Sequence, residues 1–307
     1  MMTYEELKQR QNWTLEQKID HAVVVVSSFM DKVNGNLYAS VSGGKDSGVM
    51  FDIIRRFVNK DVPAVFCNTG NEYSEVVKFV RNTENLTVIR PNMNIRQIIE
   101  KYGFPLISKE QSRYINQAKH TKSQKLLNTR LYGGKKGIGK ISERWKYLIQ
   151  APFDVSEKCC DFLKKKPFEK FHKQTGLYPV IGTMAGESRL RLQKWMKHGC
   201  NSLETNLIAS YPLSIWTEND VWAYIRKFNL PYSPIYDMGI KRTGCVFCGF
   251  GCYLKNDRRF YFLKETKPKI YEYFMSLENN GVSYKEALRY CGIDFPDSMY
   301  RQLTLGF

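Results

Sequence analysis

The sequence predicts an α/β fold, a parallel sheet with helices on both faces, followed by a helical, cysteine-containing C-terminal segment. Three observations carry this. Short apolar runs at Leu37–Val41, Ala64–Cys67 and Leu86–Ile89 alternate with stretches of helical spacing, which argues for a parallel sheet with right-handed crossovers. The strand-like pattern returns at 178–182 and again at 208–213. The segment after 240 lacks that alternation and is rich in Lys, Tyr and Phe.

Taken in order, residues 1–35 form an N-terminal helical segment. Thr14 and Gln17 make a capping-box pattern, and apolar positions run on to about Met30 before Gly35 ends the helix. Residues 36–240 hold the sheet domain. There the first strand leads into the turn Ser42-Gly43-Gly44-Lys45-Asp46-Ser47 and then into helical spacing from Val49 to Val58. The second strand ends in Asn68-Thr69-Gly70, and an amphipathic helix follows over Ser74–Arg81. Thr217, with Glu218 and Asp220 behind it, starts a helix that reaches Phe228. A basic insertion interrupts the domain at about 114–150, where nine Lys and Arg residues face Glu143 alone. Its glycine-rich middle, 133–140, is expected to be flexible. Residues 241–307 are the C-terminal CxxC and helical region.

With 307 residues and 43% hydrophobic composition the chain can bury a large core. The net charge of +17 makes polyanions the first partners to consider. The longest apolar run, Ala22 to Val26, is far short of a membrane span, and the polar N-terminus carrying Glu5 and Glu6 reads neither as a secretory signal nor as a transit peptide. A reducing, cytoplasmic setting is therefore expected. Eight cysteines are too sparse for a disulfide scaffold, so their clustering is what needs explaining. The four histidines have no paired metal-ligand spacing.

The glycine turn is neither a GxxxxGK[ST] phosphate loop, because Ala39 and Asp46 occupy positions that need Gly and Ser or Thr, nor a GxGxxG dinucleotide turn. It still offers consecutive backbone N–H groups, the hydroxyls of Ser42 and Ser47, the Lys45 cation and the positive end of a helix dipole. These are the parts of an anion hole; an ordinary glycine turn is the competing reading. SGGKDS at 42–47 resembles the signature of the PP-loop, or adenine nucleotide α-hydrolase, superfamily. With Asn68-Thr69-Gly70-Asn71-Glu72-Tyr73, the chain more specifically resembles the phosphoadenosine-phosphosulfate reductase family, over most of residues 36–250. The resemblance implies an adenine nucleotide, ATP or an adenylated phosphosulfate, bound by Ser42, Gly43, Gly44, Lys45, Asp46, Ser47, Thr69 and Gly70. It also implies that relatives using ATP cleave it between the α and β phosphates. Lys45, Asp46 and Ser47 would then be catalytic, with Mg²⁺ bridging the pyrophosphate at Asp46.

Cys159 and Cys160 are adjacent, and Cys245 and Cys248 form a CxxC. Four thiolates can hold Zn²⁺ or a [4Fe–4S] cluster, and adjacent cysteines reach two corners of a cubane more readily than one tetrahedral ion. Buried apolar cysteines and a thiol pair are the alternative. A CC pair with a distant CxxC is similar to the cluster pattern of adenosine-phosphosulfate reductases and of DndC-type DNA sulfur-modification proteins. Lys158, Lys164, Lys165, Lys166, Arg242 and Arg258 are expected to offset the thiolate charge. Cys252 and Cys200 are candidate sulfur relays, although an inert buried thiol is the commoner role, and Cys67 and Cys291 read as structural.

The chain departs from the reductases in two places. No cysteine follows Cys291, where family reductases carry a Glu-Cys-Gly-Leu-His tail, and Met184 stands where the family's GxRxx(E/Q)S element has arginine. Glu187, Ser188 and Arg191 remain to bind nucleotide, with a salt-bridged helix start as the rival reading. The expected activity is ATP cleavage coupled to sulfur transfer or to modification of a substrate such as nucleic acid. Phosphosulfate reduction to sulfite is the first alternative. The second is a nucleotide-gated nucleic-acid-binding or regulatory protein without turnover, using the basic insertion and Tyr261, Tyr271, Tyr273 and Phe274. A sulfur-donor protein and an oligomer stay open as partners.

Overall fold

The computed structural model describes residues 2–203, 208–254 and 257–297, the side chain of Lys136 excepted. The chain runs α1 (Tyr4–Gln11), α2 (Leu15–Lys32), β1 (Leu37–Val41), α3 (Lys45–Phe57), β2 (Ala64–Cys67), α4 (Ser74–Arg81) and β3 (Leu86–Ile89). It continues through α5 (Ile95–Tyr102), β4 (Leu106–Ile107), α6 (Lys109–His120) and α7 (Gln124–Tyr132), then α8 (Lys158–Cys160), which widens into a π turn before α9 (Lys166–Thr175). After β5 (Tyr178–Ile181) come α10 (Arg189–His198), β6 (Asn201–Ser202), β7 (Ala209–Ser210) and α11 (Glu218–Phe228). The last elements are β8 (Gly249–Phe250), α12 (Arg259–Thr266), α13 (Pro268–Met275), β9 (Glu278–Asn279), β10 (Val282–Ser283) and α14 (Tyr284–Tyr290).

Two compact units result, and they do not follow the order of the sequence. The first takes the chain up to Asn68, Glu72–Arg90 and Phe168–Thr243; the second takes Thr69–Asn71, Pro91–Pro167 and the chain from Gly244 onward.

In the first unit six strands lie in the order β3-β2-β1-β5-β7-β6, all parallel except β6, which runs antiparallel to β7. The alternation along β1 explains why both faces need helices. Leu37, Ala39 and Val41 point into the core formed with Val26 and Phe29 of α2 and Val49, Met50 and Ile53 of α3. Tyr38 points the other way and meets the Phe168 and Phe171 rings of α9 at 6.1 and 5.2 Å. The expected strand over 208–213 shrinks to Ala209–Ser210. Pro212 has no N–H to donate, and beyond it the chain turns through Ser214 N–H to Tyr211 O and Trp216 N–H to Leu213 O. Helix α1, which sequence periodicity did not single out, is set by a capping box between Thr3 and Glu6. Behind it, Lys18 is buried and donates to Gln11 O and to Asp220 Oδ2, each at 2.7 Å, tying α2 to α11.

The second unit packs around aromatic rings. Phe104 stacks on Tyr284 at 5.2 Å and meets Phe153 edge-on at 5.8 Å, and Phe247 stacks on Phe274 at 4.8 Å. Tyr271 and Phe274, two of the aromatics expected to be able to contact nucleic acid, are buried, whereas Tyr273 is exposed. Asn279 joins three segments, donating to Ile99 O and Glu100 O and accepting from Asp154 N–H. The glycine-rich middle of the insertion, expected to be flexible, is hydrogen-bonded: Gly134 N–H donates to Ile138 O, Ile141 N–H to Arg130 O and the Arg130 guanidinium to Gly139 O. Residues 299–307, on which the absent reductase tail was read, lie outside the described residues. Among the described residues, no helix is long and apolar enough to cross a membrane.

Two stability predictions follow from these buried charges. Lys18→Met should lower the unfolding free energy by about 3 kcal/mol, because Asp220 is left desolvated without its cation, and thermal melts read by circular dichroism would register the loss. In the second unit Asp297 is buried, which by itself would raise its pKa, yet Lys264 at 2.6 Å, Lys285 at 3.0 Å and Tyr271 at 3.1 Å hold it down to about 2. Its stabilisation is complete above the unfolded carboxylate pKa of about 3.9 and is lost as pH falls from there towards 2. Asp297→Asn should therefore be less stable than the parent at neutral pH and converge with it in acid, as measured by denaturant midpoints across pH.

Candidate functional site

Two clusters of chemistry-bearing residues stand out, one in each unit. In the first unit, β1 and β5 are neighbours but the strands that follow them run to opposite sides, so the carboxyl ends of these two strands open onto a crevice at the reversal. The loop 42–47 leaves β1 there, and 182–188 leaves β5 at the same edge.

The turn from β1 into α3 needs glycine for two separate reasons. Gly43 has φ +72°, and a Cβ there would sit 2.6 Å from Val76 Cγ1. At the end of β5, a Cβ on Gly182 would lie 2.8 Å from Asp46 O, so only glycine lets the start of α3 come this close. The serine hydroxyls close the turn on itself: Ser47 Oγ donates to Gly44 O at 2.8 Å and accepts from Ser42 N–H at 3.1 Å. Lys45 N–H donates to Tyr236 Oη at 2.8 Å. The amides of Gly43, Asp46 and Ser47 donate to no acceptor among the described residues. Three unsatisfied donors at the positive end of a helix are what an anion would occupy.

The charges beside the turn are arranged around Lys45, which is 7% exposed. Burial works to lower its pKa, but Asp46, the Tyr236 hydroxyl and Glu218 outweigh it and the ammonium is held above its ordinary value. Its Nζ lies 3.2 Å from both Asp46 Oδ1 and Glu218 Oε1 and 5.5 Å from the Tyr236 ring centroid. Asp46 is pushed up by its own burial and by Glu187 and Glu218, against the pull of Lys45. Its Oδ1 is buried, faces the Lys45 ammonium and accepts no well-aligned hydrogen bond.

The structure brings Glu187 into the field of Asp46, but Glu187 also accepts from Met184 N–H at 2.8 Å and pairs with Arg191. Ser188 caps α10 by accepting from Arg191 N–H at 3.3 Å. The salt-bridged helix start weighed as a rival is therefore present. Arg191 would have to exchange Glu187 for a ligand to serve as a phosphate fork. Thr69 and Gly70 fall in the second unit, where the Thr69 hydroxyl accepts from Asn71 N–H at 3.2 Å.

Glu218 and Tyr236 were missed. Glu218 was read only as an acid at the positive end of α11, because sequence distance hides which turn a helix start faces.

All four candidate ligand cysteines lie in the second unit. Cys159 is held well above its usual pKa by its hydrogen bond with Cys160, by burial, and by the charges of Cys160, Cys248 and Cys245. Cys160 is pulled below it by the same hydrogen bond and by Lys109 and Lys164, despite burial. The hydrogen bond between the two adjacent thiols thus shifts them in opposite directions. Burial raises Cys248. Among the described residues, no three His, Cys, Asp or Glu side chains converge closely enough to hold a single metal ion.

The cations near the thiols differ from those the sequence pointed to. Arg242 belongs to the first unit, where it lies 3.7 Å from Glu187. Arg258 covers the Tyr261 ring at 4.6 Å, Lys165 pairs with Asp161, and Lys166 lies over Phe162. Lys164 does act on Cys160. Lys109 and Arg259 were missed. Arg259 is mostly buried, is gripped by Asp257, and donates to Cys248 O at 2.7 Å and Phe250 O at 3.1 Å, pinning the CxxC turn. No short-range pattern marks it, since one arginine in a basic stretch looks like the next.

Of the remaining cysteines, Cys252 is buried and donates its thiol to Cys248 O. Cys200 is buried in the first unit, and Cys67 and Cys291 are buried as well.

A search of protein families matches the phosphoadenosine phosphosulfate reductase domain to residues 36–249. The adenosine 5'-phosphosulfate reductase 2 of Bacillus subtilis is 25% identical over 80% of this chain and 85% of its own length. Two uncharacterized proteins of Methanocaldococcus jannaschii are 23% and 24% identical over 74% and 90% of this chain, which spans only 39% and 56% of their lengths. Among solved structures, a phosphoadenylyl-sulfate (PAPS) reductase from Candida auris, a phosphate complex, aligns with a TM-score of 0.41 at 16% identity, covering 80% of this chain and 96% of that one. The family match takes in β1, the SGGKDS turn, the 182–191 segment and all four clustered cysteines, and the chain belongs to the phosphoadenosine phosphosulfate reductase family.

Proposed function

We propose that the protein binds an adenine nucleotide at Ser42–Ser47 and cleaves ATP between its α and β phosphates, activating a substrate for sulfur transfer or a related modification. The observation that carries this reading is the set of unsatisfied amides on Gly43, Asp46 and Ser47 beside a buried Lys45. A nucleophilic oxygen of the substrate attacks the α-phosphorus, the α–β bridging bond breaks, and its electron pair leaves with pyrophosphate. Lys45 and the three amides stabilise the charge that builds on the departing oxygens, and the hydroxyls of Ser42 and Ser47 keep the turn in the shape that aims those amides. The adenylated substrate then reacts with a sulfide or persulfide donor, forming a bond to sulfur as AMP leaves.

Asp46 fits a role in holding Mg²⁺, because its Oδ1 is buried and lacks a well-aligned donor, and Mg²⁺ commonly needs only one or two carboxylates when phosphates complete its shell. When bound, it would neutralise charge on the polyphosphate. The acids Asp46, Glu187 and Glu218 favour a metal-bound polyphosphate over a phosphosulfate. The similarity to the adenosine 5'-phosphosulfate reductase 2 of Bacillus subtilis supports the second reading, reduction of a phosphosulfate to sulfite.

Purified protein incubated with ATP and Mg²⁺ should release pyrophosphate, and Lys45→Ala should reduce that release about 100-fold or more. Sulfite formed from adenosine phosphosulfate, with no pyrophosphate from ATP, would establish the second reading instead.

The four clustered cysteines fit a [4Fe–4S] cluster better than one zinc ion. Thiolates around a single zinc stand about 3.8 Å apart, from bonds of ~2.3 Å, whereas a cubane's ligands sit on four separate corners. Cys159 lies in the field of Cys160, Cys245 and Cys248, which puts the four thiols in one neighbourhood. When bound, the cluster would supply a redox-capable, sulfur-rich centre. Cys159, Cys160, Cys245 and Cys248 would ligate it, Lys109 and Lys164 would offset its charge, and Arg259 would hold the CxxC turn in register. Protein prepared without oxygen should contain about four iron and four sulfide per chain, and Cys160→Ser should lose them. Arg259→Met should lose iron faster in a chelator challenge, and Arg259→Lys should restore only part of the retention, because an ammonium cannot hold both carbonyls and also make the contacts that Nε and Nη2 of the guanidinium make to Asp257.

A further inference from the structure

Helix α7 (Gln124–Tyr132) buries none of its residues, so it presents a face to solvent. Lys125 and Tyr132 are two helical turns apart on one side of it, and Tyr132 is 73% exposed. The Lys146 ammonium lies 5.9 Å from the Tyr132 ring centroid, joining α7 to the 3-10 segment Glu143–Gln150. On that segment Arg144 covers the rings of Trp145 at 4.5 Å and Tyr253 at 5.7 Å, and Tyr147, 41% exposed, meets Tyr290 at 5.6 Å. The exposed rings of Tyr132, Tyr147 and Tyr290 and the cations Lys125, Arg144 and Lys146 thus belong to the second unit, with Trp145 buried beneath Arg144.

Lys122, Lys125, Lys135 and Arg144 pair with no carboxylate among the described residues. Glu143, the one acid between residues 114 and 150, is shared by Lys140 and Lys146. Unpaired cations keep their full field, and a guanidinium lying on a ring leaves its edge N–H groups free for phosphate. Exposed tyrosine faces add what a phosphate-binding patch does not require, a platform on which an unpaired base can stack.

We propose that this surface binds single-stranded nucleic acid, Tyr132 and Tyr147 stacking bases while Lys125, Lys135, Arg144 and Lys146 follow the phosphates. A duplex hides its base faces and could use only the cations. An acidic peptide would likewise leave the rings idle. The proposal is independent of the nucleotide and cluster readings, since none of these residues belongs to either cluster.

The test is fluorescence anisotropy with the full chain and labelled oligo(dT) and oligo(U) of about twenty nucleotides, across a salt series. Binding should weaken linearly in log salt, with a slope of about −0.7 per phosphate contacted. Tyr132→Ala with Tyr147→Ala should weaken it by about tenfold or more at fixed salt with the slope unchanged. Lys125→Glu with Arg144→Glu should lower both affinity and slope, while Lys173→Glu on the first unit should change neither. A preference for one oligomer identifies DNA or RNA as the natural source. Since α7 buries none of its residues, and Arg144 and Tyr147 on the 3-10 segment are exposed, circular dichroism should report all variants as folded. Absence of binding at low salt overturns the proposal. So does binding that the tyrosine pair does not affect, or that a duplex or heparin matches, since either result would mean general polyanion attraction.

Discussion

The turn between β1 and α3 is the constraint on which the first unit's chemistry depends. A parallel strand must hand over to a helix within a few residues, at the point where the sheet's order reverses, without covering the helix's first amides. Gly43 supplies the left-handed backbone conformation, and Gly182 leaves room for the carbonyl of Asp46. The serine hydroxyls satisfy the turn internally, so its remaining N–H groups point outward. A larger side chain at either glycine would press on backbone or on a packed helix, and neither yields cheaply.

Lys45 illustrates how burial and function combine at this turn. Its ammonium is nearly inaccessible, which alone would disfavour its charge, and it stays charged because Asp46 and Glu218 lie beside it. The same acids that keep the cation would repel a bare polyphosphate. A divalent ion at Asp46 would remove that conflict, which is how the acid cluster bears on the proposed choice between ATP and a phosphosulfate.

The second unit solves a different problem, that of holding thiols near one another without disulfides. It does so through backbone carbonyls. Arg259, gripped by Asp257, draws in Cys248 O and Phe250 O, and Tyr284 donates to Phe247 O. Each contact fixes a main-chain carbonyl between Phe247 and Phe250, while Lys109 and Lys164 lower the cost of charge at Cys160.

Much of this was legible in the sequence. The strands, the α2 and α11 capping boxes and the SGGKDS turn are local, set by residues within a few positions of one another, and local rules of spacing and capping find them. What local rules missed is equally specific. Pro212 cut short a strand that apolar composition alone favours, and Arg130 anchored a glycine-rich stretch that reads as loose. Arg258 and Arg242 stood nearer the cysteines in sequence than Lys109, yet Lys109 acts on Cys160. The sequence by itself determined the run β1, α3, β2, α4, β3 with the SGGKDS turn at its start, the family and the two cysteine pairs. Only the tertiary structure decided that Glu218 and Tyr236 face Lys45, that residues 91–167 and the chain after 243 make one unit, and which cations remain unpaired. The physical reason is that a partner across 170 residues of chain is chosen by packing and by the competition among charges, and neither leaves a period or a spacing to read.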